Sequence, residues 1–411
     1  MATLTEDGKH YLLTGTKQFI TNAGFADMFT VFARVDKKHF TAFLVERNTP
    51  GLSLGPKEKK IGLHGSSTCQ VILDAARVPK ENLLGEIGKG HKVAFNVLNV
   101  GRFKLGAICV GQTKFALAEG SRYANERKQF GTPIGSFGAI REKLADATAL
   151  AFAAESAVYR LAGLLDGKLS ALDRKSADYY ALYQKGIEEF AAECALIKVF
   201  CSETGAQVIS DMLQIHGGYG YIAGHAIEQL YRDERINRIF EGTSEMNRLL
   251  VARRLLRDVA PLAPAAVGIW EGSWAGQRQL LAGMKECYQL LSGRARQRCG
   301  DQLSQEQEIL LAFADMAIQV FALESAMLRA AKACRGGASA IKREQFQAVA
   351  LLCAFAGRQR FLAAAERCAS FMASEDLLAA ITVKTSLAAD GLLAAKRLLA
   401  EATLQTKKYI F

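Results

Sequence analysis

A single glutamate, Glu241, has the sequence context of a reactive acid. It follows two apolar residues and precedes Gly242, Thr243 and Ser244, so we expect it in the turn before a helix that continues through residues 249–251. Thr243 suits an N-cap, because its hydroxyl can accept a hydrogen bond from a backbone N–H two or three residues later. Gly242 lets a ligand approach the main chain closely. The alternative is a glutamate that only interacts with the positive end of the helix dipole.

Gly101 is a second position that could serve a ligand. Apolar residues between Ala94 and Phe115 recur mostly at three- and four-residue steps, which predicts one long amphipathic helix from about Gly90 to Asn125. Glycine on the apolar face of a helix costs about 1 kcal/mol relative to alanine, so Gly101 should have a steric purpose. Close packing against another helix and room for a ligand are the two alternatives.

The composition favours a soluble globular protein. A chain of 411 residues, half of them hydrophobic, should form two or three domains. No apolar run reaches the roughly 18 to 20 residues of a membrane span, and the first residues do not resemble a signal peptide. We therefore expect a cytoplasmic location, or the mitochondrial matrix side if the sequence is a trimmed eukaryotic chain.

The net charge of +11 is dispersed along the chain. Basic runs interleaved with aromatic residues are lacking, so nucleic-acid binding is not expected, and phosphate-bearing small molecules fit the charge better. The nine cysteines are scattered without a CxxC pair, which predicts buried thiols in a reducing compartment and no metal site.

The N-terminal part of the chain is predicted to form β-structure. Its apolar segments are short and rich in β-branched or aromatic residues, and turn signals separate them. This pattern favours a small antiparallel barrel or sandwich. The predicted strands are Tyr11–Leu13, Phe29–Val35, Phe40–Val45 and Cys69–Leu73.

The rest of the chain is predicted to be helical, which makes the fold class α+β. A cluster of prolines and glycines between Ala260 and Gly276 predicts a boundary, and Gly336-Gly337 a turn. After the first long helix we expect helices at about 136–166, 170–214 and 225–236, after Thr243, and throughout 277–404. The predicted domains are a β-domain at 1–88, a helical bundle at 89–260 and a second helical domain at 261–411.

Five separate motifs stand along the chain, at Lys17–Gly24, Asn99–Arg102, Glu126–Gly131, Gln214–Gly220 and Phe240–Thr243. Together they resemble the motifs of the acyl-CoA dehydrogenases. They occur in the order and spacing of that family, from about Leu12 to Asp258, and none would suffice alone. The step Gly101-Arg102-Phe103 and the helical tail resemble the very-long-chain branch, although for the tail this is a likeness of architecture.

The resemblance implies FAD-dependent α,β-desaturation of acyl-CoA thioesters in fatty-acid β-oxidation. The α-carbon of a thioester is weakly acidic, so the reaction needs a positioned carboxylate for the α-proton while the flavin accepts hydride from the β-carbon. By resemblance Glu241 is that base. Some branched-chain relatives place their glutamate base at the position of Gly101, and glycine there leaves Glu241 as the candidate. The resemblance implies substrate contacts for Asn99, Gly101, Arg102 and Gly242, and the clear helix face suits long acyl chains.

Cofactor contacts carry over by the same resemblance. Phe19 would lie against the flavin ring and Thr21 near its reactive nitrogen; sheet core and a solvated strand position are their alternatives. Arg127 suits the pyrophosphate as a forked cation. The motif at Gln214 reaches a cofactor of the adjoining subunit in the family, which implies at least a homodimer. The full set is Phe19, Ile20, Thr21, Arg127, Phe130, Gln214, Gly217, Gly218, Thr243 and Glu245.

The chain departs from the family pattern at its start. Family members begin with a helical domain that lines the acyl pocket, and this sequence starts just after the corresponding position, so we expect that domain to be absent. Two hypotheses follow: an acyl-CoA dehydrogenase completed by another piece, or a catalytically idle relative that serves as an assembly or binding partner. The resemblance also implies an electron-transfer flavoprotein as acceptor and peripheral membrane contact through the C-terminal domain.

Overall fold

The structure is a computed structural model that describes residues 1–257 and 274–411. The chain divides into two compact units, Met1–Leu98 and Asn99–Phe411. The first unit contains the sheet and the second contains most of the helices. The α+β class expected from the sequence is confirmed.

One seven-stranded sheet forms the first unit, in the order β5–β6–β2–β1–β3–β4–β7. Its pairs are antiparallel except β1–β3, so the sheet is mixed instead of wholly antiparallel as expected. Because β2 and β3 run in opposite directions, a strand inserted between them is necessarily parallel to one of them. The strands are β1 Ala2–Leu4, β2 His10–Thr21, β3 Met28–Val35, β4 His39–Glu46, β5 Leu52–Leu54, β6 Thr68–Pro79 and β7 Leu83–Leu84.

The four predicted strands are the cores of β2, β3, β4 and β6. Along β3, Phe29, Val31, Ala33 and Val35 are buried and alternate with more exposed residues, as a strand with one face on a core requires. The strands that the sequence did not predict, β1, β5 and β7, have only two or three residues, too few for a period of two to be visible.

Helices account for most of the second unit. The bounds are α1 Gly90–Glu126, α2 Gly138–Ser170, α3 Tyr179–Glu189, α4 Ala191–Ile215, α5 Gly218–Tyr221, α6 Ala226–Glu234, α7 Ser244–Arg257, α8 Ala275–Cys299, α9 Gln307–Arg335, α10 Ala340–Phe371, α11 Glu375–Lys384 and α12 Leu392–Thr406. Between α1 and α2 the short strands β8 Lys128–Gln129 and β9 Thr132–Pro133 form a hairpin.

The single helix predicted for residues 170–214 is wrong, because the chain turns between α2 and α3. Asp173 Oδ1 accepts a hydrogen bond from the Lys175 N–H at 2.9 Å, and the Ser176 hydroxyl accepts one from the Asp178 N–H at 3.3 Å. Short polar side chains that bind the backbone two residues later compete with helical hydrogen bonding. This local chemistry ends the helix in spite of the apolar pattern on both sides.

The helices before and after residues 258–273 share one apolar core. Leu144 and Ile209 belong to the same cluster of buried residues as Met284, Phe313 and Phe361. The predicted boundary between 260 and 276 falls largely on residues outside the described ones, as does Trp270, whereas Trp274 is buried. All nine cysteines are free thiols; seven are buried, and Cys299 and Cys334 are half-buried.

Four described helices, α1, α2, α9 and α10, are long and apolar enough to cross a membrane by length and composition alone. The expectation that no segment could span a membrane is therefore wrong by this criterion. That expectation required uninterrupted apolar runs, whereas these helices contain occasional charged residues. In the most apolar stretch of α9, 83% of the residues are buried within the protein, against 33% in α1.

Candidate active site

Glu241 lies in a strained turn between two helical segments. Its φ of 57° is unusual for a residue with a side chain, and Gly242 follows with φ 82°. The helix α7 begins at Ser244, and the Thr243 hydroxyl accepts a hydrogen bond from the Met246 N–H at 3.3 Å. The turn and the capping role predicted for Thr243 are both present.

Three side chains bind the carbonyl groups of this turn. Arg102 Nε donates to the Glu241 carbonyl at 3.1 Å, and Lys198 Nζ donates to the Gly242 carbonyl at 2.8 Å. Asn247 Nδ2 reaches the carbonyls of Gly242 and Thr243 at 2.8 and 3.0 Å. A strained backbone persists only when its surroundings fix it, and these contacts do so.

Lys198 and Asn247 were not among the predicted site residues. Asn247 follows the glutamate within the same motif, so its position could have drawn attention to it. Lys198 belongs to the helix α4 and lies 44 residues before Gly242, whose carbonyl it binds. No motif marks this lysine in the sequence. The sequence feature that could have drawn attention to Lys198 is a lysine within an apolar helical pattern. Its side chain is fully buried, and a buried lysine almost always has a polar partner.

Gly101 makes room for the carboxyl group of Glu241. A Cβ added at Gly101 would lie 2.5 Å from Glu241 Oε2 and 2.8 Å from the carboxyl carbon. Neither alternative expected for this glycine, packing against a helix or direct space for a ligand, describes this contact. The helix α1 needs glycine here because the reactive side chain of another element occupies the space.

The environment of Glu241 raises the pKa of its carboxyl group above the ordinary value of 4.5. Burial is the main cause, and the charges of Arg102 and Lys198 oppose it. Burial also lowers the pKa of Lys198 to about 8 and lowers that of Arg102. A half-buried carboxylate with a raised pKa, held near two cations, is a suitable general base near neutral pH.

The structure brings together the four predicted substrate-contact residues. Asn99 and Arg102 are buried, and Asn99 Oδ1 accepts a hydrogen bond from Arg102 Nη1 at 3.3 Å. Arg102 reaches the Glu241 carbonyl, while Gly101 and Gly242 lie beside the glutamate and the cations. Glu245, at the start of α7, is exposed, and hydrogen bonds from its own N–H and the Thr243 hydroxyl lower its pKa.

A second group of predicted residues lines a cleft elsewhere in the helical unit. Arg127, Gly217 and Gly218 contribute to a cleft of about 410 Å³, and Arg127 also lines an adjoining one of about 520 Å³. Gly217 has φ 56°, and a Cβ added at either glycine would meet no atom within 4 Å, so the backbone is open to a ligand. Thr243 and Glu245 do not line either cleft.

Arg127 has the features of an anion-binding side chain. It is exposed and its guanidinium lies 5.9 Å from the centre of the Tyr219 ring. Among the described residues it makes no salt bridge, so its charge is free for a phosphate group. Beside it the hairpin β8–β9 presents Phe130, which is 93% exposed with φ 51°. Gln214, at the end of α4, is exposed and its carbonyl accepts a hydrogen bond from the Gly217 N–H at 3.0 Å.

In the first unit, the residues Phe19, Ile20 and Thr21 lie at the end of β2, where the pairing with β6 shifts register. Lys17 pairs with Val71 and Ile20 with Cys69, so Phe19 stands in a β-bulge with φ 56°. Its side chain is 67% exposed, which excludes the alternative of a sheet-core residue. Thr21 is also exposed and pairs with Thr68. The exposed ring of Phe19 is therefore accessible to a ligand.

Models of one protein family match most of the chain. Residues 1–76 match the model described as "Acyl-CoA dehydrogenase, middle domain". Residues 88–256 and 283–382 match two models, each described as "Acyl-CoA dehydrogenase, C-terminal domain". The three matches cover most of the sheet, the turn that carries Glu241 and part of the C-terminal helices.

Individual proteins show the same likeness. A probable acyl-CoA dehydrogenase of Bacillus subtilis is 44% identical over 81% of this chain, and the mouse very long-chain specific acyl-CoA dehydrogenase is 41% identical over 60%. The chain spans 59% and 36% of the lengths of these two relatives. The crystal structure of an acyl-CoA dehydrogenase complexed with FAD from Bacillus anthracis superposes on the whole chain with a TM-score of 0.94 and 41% identity, and the chain covers 73% of it.

Proposed function

We propose that this chain, which belongs to the acyl-CoA dehydrogenase family, catalyses the FAD-dependent α,β-desaturation of acyl-CoA thioesters with Glu241 as the base. One observation carries the proposal. The carboxyl group of Glu241 stands against Gly101, in a turn whose carbonyls are bound by Arg102, Lys198 and Asn247. These contacts fix the position of the turn, so the half-buried carboxylate of Glu241 has a defined place in the protein.

In the proposed reaction Glu241 removes the α-proton of the thioester. Its raised pKa makes the carboxylate a stronger base than an exposed glutamate, while the charges of Arg102 and Lys198 favour its ionised form. The Glu241 N–H has no hydrogen-bond partner among the described residues, so it is free to polarise the thioester carbonyl.

The residues present fit FAD. Its isoalloxazine ring, when bound, supplies the acceptor for the hydride from the β-carbon. Phe19 offers an exposed aromatic surface, and Thr21 an exposed hydroxyl two residues later. Arg127 offers an unpaired guanidinium for phosphate, and the open backbone at Gly217 and Gly218 allows close approach of a ligand. Thr243 and Glu245, beside the base, complete the proposed contacts.

The substrate class and the partners belong to the same proposal. Likeness to a very long-chain specific acyl-CoA dehydrogenase favours long acyl chains. The resemblance of the motifs to the family implies a place in fatty-acid β-oxidation and an electron-transfer flavoprotein as acceptor. The proposal includes at least a homodimer, in which the exposed cleft at Arg127 contacts a cofactor that the second subunit also binds. A cytoplasmic or mitochondrial-matrix location also remains a prediction.

Peripheral membrane contact through the C-terminal helices is also part of the proposal. Of three neighbouring arginines in α8, Arg296 donates to the Leu256 carbonyl, and Arg298 lies 5.2 Å from the centre of the Phe371 ring. Arg294 is exposed. Arg296 is therefore engaged within the protein, whereas the exposed side chains of Arg294 and Arg298 are available to anionic lipid.

Glu241→Gln tests the assignment of the base. The amide keeps the shape of the side chain but cannot accept the proton, so desaturation should fall by about a hundredfold or more while flavin binding persists. The measurement is anaerobic bleaching of the flavin absorbance by acyl-CoA, with Glu188→Gln, an exposed glutamate of α3, as the control. Bleaching at the unaltered rate in Glu241→Gln would refute the assignment. Purified protein without flavin, or without bleaching by any acyl-CoA, would favour the catalytically idle relative.

A further inference from the structure

A partly open cavity of about 190 Å³ lies within the helical unit, and no residue of the proposed active site lines it. The helices α2, α4, α9, α10 and α12 all contribute to its wall. Its apolar lining includes the buried residues Leu150, Phe200, Leu323 and Leu352. Its polar lining is limited to a few side chains, which are Asp146, Gln207, Gln319, Gln359, Arg360 and Lys396.

Arg360 brings a positive charge to this cavity without a carboxylate to balance it. The guanidinium donates to Gln207 Oε1 at 2.7 Å and makes no salt bridge with any described residue. The acidic groups near it hold other cations: Glu203 binds Arg248 at 2.6 and 2.8 Å, and Asp146 binds Lys396 at 3.0 Å. Burial lowers the pKa of the half-buried Arg360, and the nearby charges of Glu203 and Asp146 oppose this shift.

Gln319 provides a second, independent polar group. Its side chain is 8% exposed and lines the cavity from α9, yet it makes no hydrogen bond with another described residue. Buried amide groups in proteins nearly always have a partner, and the side of Gln319 that is open to the cavity can supply one to a ligand there. Gly357 faces it, since a Cβ added there would lie 4.0 Å from Gln319 Oε1 and from Leu323 Cβ.

We propose that this cavity binds a small organic carboxylate, with its anionic group on Arg360 and its apolar part among Leu150, Leu323 and Leu352. A guanidinium binds a carboxylate through paired, charge-assisted hydrogen bonds, and the apolar walls favour a hydrocarbon group over an inorganic anion. A dry cavity of about 150 Å³ accommodates benzene, so about 190 Å³ suits a ligand of about eight non-hydrogen atoms. Hexanoate has that size and charge.

Calorimetric titration of the full chain with hexanoate tests this inference. We expect saturable binding with a Kd on the order of 1 mM or lower, and at least tenfold weaker binding of the neutral analogue hexanamide and of inorganic phosphate. Arg360→Gln should weaken hexanoate binding at least tenfold. Gly357→Leu should abolish it by filling the cavity, and the added helix propensity should keep this variant folded. Arg343→Gln, on the exposed side of the same helix, is the matched control.

The outcomes separate this cavity from the proposed active site. Loss of binding in both cavity variants but not in Arg343→Gln, together with a crystal soak that shows the carboxylate on Arg360, would support the inference. No saturable binding would mean that the cavity holds only water, and the inference would be wrong. Binding that is unchanged in Arg360→Gln and Gly357→Leu would place hexanoate elsewhere, with the same consequence. Neither result depends on flavin content or dehydrogenase activity.

Discussion

The backbone of Glu241 explains why its side chain is held where it is. A positive φ at a residue with a side chain costs on the order of 1–3 kcal/mol, and contacts with the rest of the protein must offset this strain. The carbonyls of the turn receive hydrogen bonds from Arg102, Lys198 and Asn247, which belong to three different helices. The carboxylate position thus depends on residues far apart in the sequence.

Lys198→Met should shift the pH dependence of the reaction. Lys198 carries most of its charge below its pKa of about 8 and helps to lower the pKa of Glu241. Without this cation the pKa of Glu241 rises further, so the rate should begin to fall at a higher pH as the solution is acidified. The pH profile of flavin reduction under single-turnover conditions measures this shift. Lys185→Met, an exposed residue of α3, should leave the profile unchanged, and an unshifted profile in Lys198→Met would show that the lysine only supports the backbone.

Gly101→Ala should separate activity from stability. The new methyl group would lie 2.5 Å from Glu241 Oε2, so the carboxylate must move. A displacement of this size should slow desaturation by about tenfold to a hundredfold. The backbone is helical and alanine favours a helix by up to about 1 kcal/mol, so urea unfolding should show little loss of stability. Gly111→Ala in the same helix, where a Cβ meets no atom within 4 Å, is the control. Full activity in Gly101→Ala would show that the Glu241 carboxylate can move away from this position without loss of catalysis, which would contradict the prediction.

At the scale of elements, a hairpin and a helix end together form the cleft at Arg127. The turn of the hairpin places Phe130 at φ 51° and Gly131 at φ 81°, so both central residues adopt the left-handed conformation of a tight hairpin. The helix α4 ends at Ile215, and Gly217 then turns the chain before α5. Each motif is local, but the cleft exists only because the two elements pack side by side.

Arg127→Ala and Gly218→Val should lower the FAD content and loosen the oligomer together. A ligand stabilises whichever form binds it, so loss of a cofactor contact shared between subunits affects both properties. Flavin absorbance and light scattering measure the two on the same sample. Lys128→Ala, an exposed neighbour that does not line the cleft, should leave both unchanged. A fully flavinated monomer in either variant would exclude this cleft as the shared cofactor site.

At the scale of the whole molecule, buried ion pairs join the C-terminal helices to the bundle. Glu155, in α2, accepts hydrogen bonds from Lys114 of α1 at 2.7 Å and from Arg329 of α9 at 2.6 Å. The Tyr409 hydroxyl donates to the same carboxylate at 2.8 Å. Burial alone would raise the pKa of Glu155, but these donors outweigh it and lower the pKa below 4.5. The C-terminal helices are therefore part of the folded core of this unit.

Glu155→Gln should destabilise the protein by about 2 kcal/mol or more, because it leaves Lys114 and Arg329 without their anion. The partial exposure of both cations limits the effect. Since the pKa of Glu155 is lowered in the folded state, its contribution is present above the unfolded pKa and is lost as the pH falls through the folded one. Urea unfolding at pH 7 and at acidic pH should show a difference that shrinks with acidification. Glu189→Gln, which removes an exposed pair with Lys168, should cost under about 1 kcal/mol. Equal effects of the two substitutions would contradict a structural role for the buried cluster.

The sequence alone determined the class of the fold, the strands longer than three residues, the cap at Thr243 and the family, because each depends on local periodicity, capping chemistry or motif order. It also identified Glu241 as the candidate base. Tertiary structure decided what Gly101 accommodates, that Lys198 binds the turn, and that Arg360 and Gln319 share a cavity. These depend on contacts between elements distant along the chain, for which a sequence carries no local signal. The helix break after Ser170 is a different case, because the sequence does carry a local signal for it. The polar residues of that turn indicate a break, but the apolar pattern on both sides favoured a continuous helix.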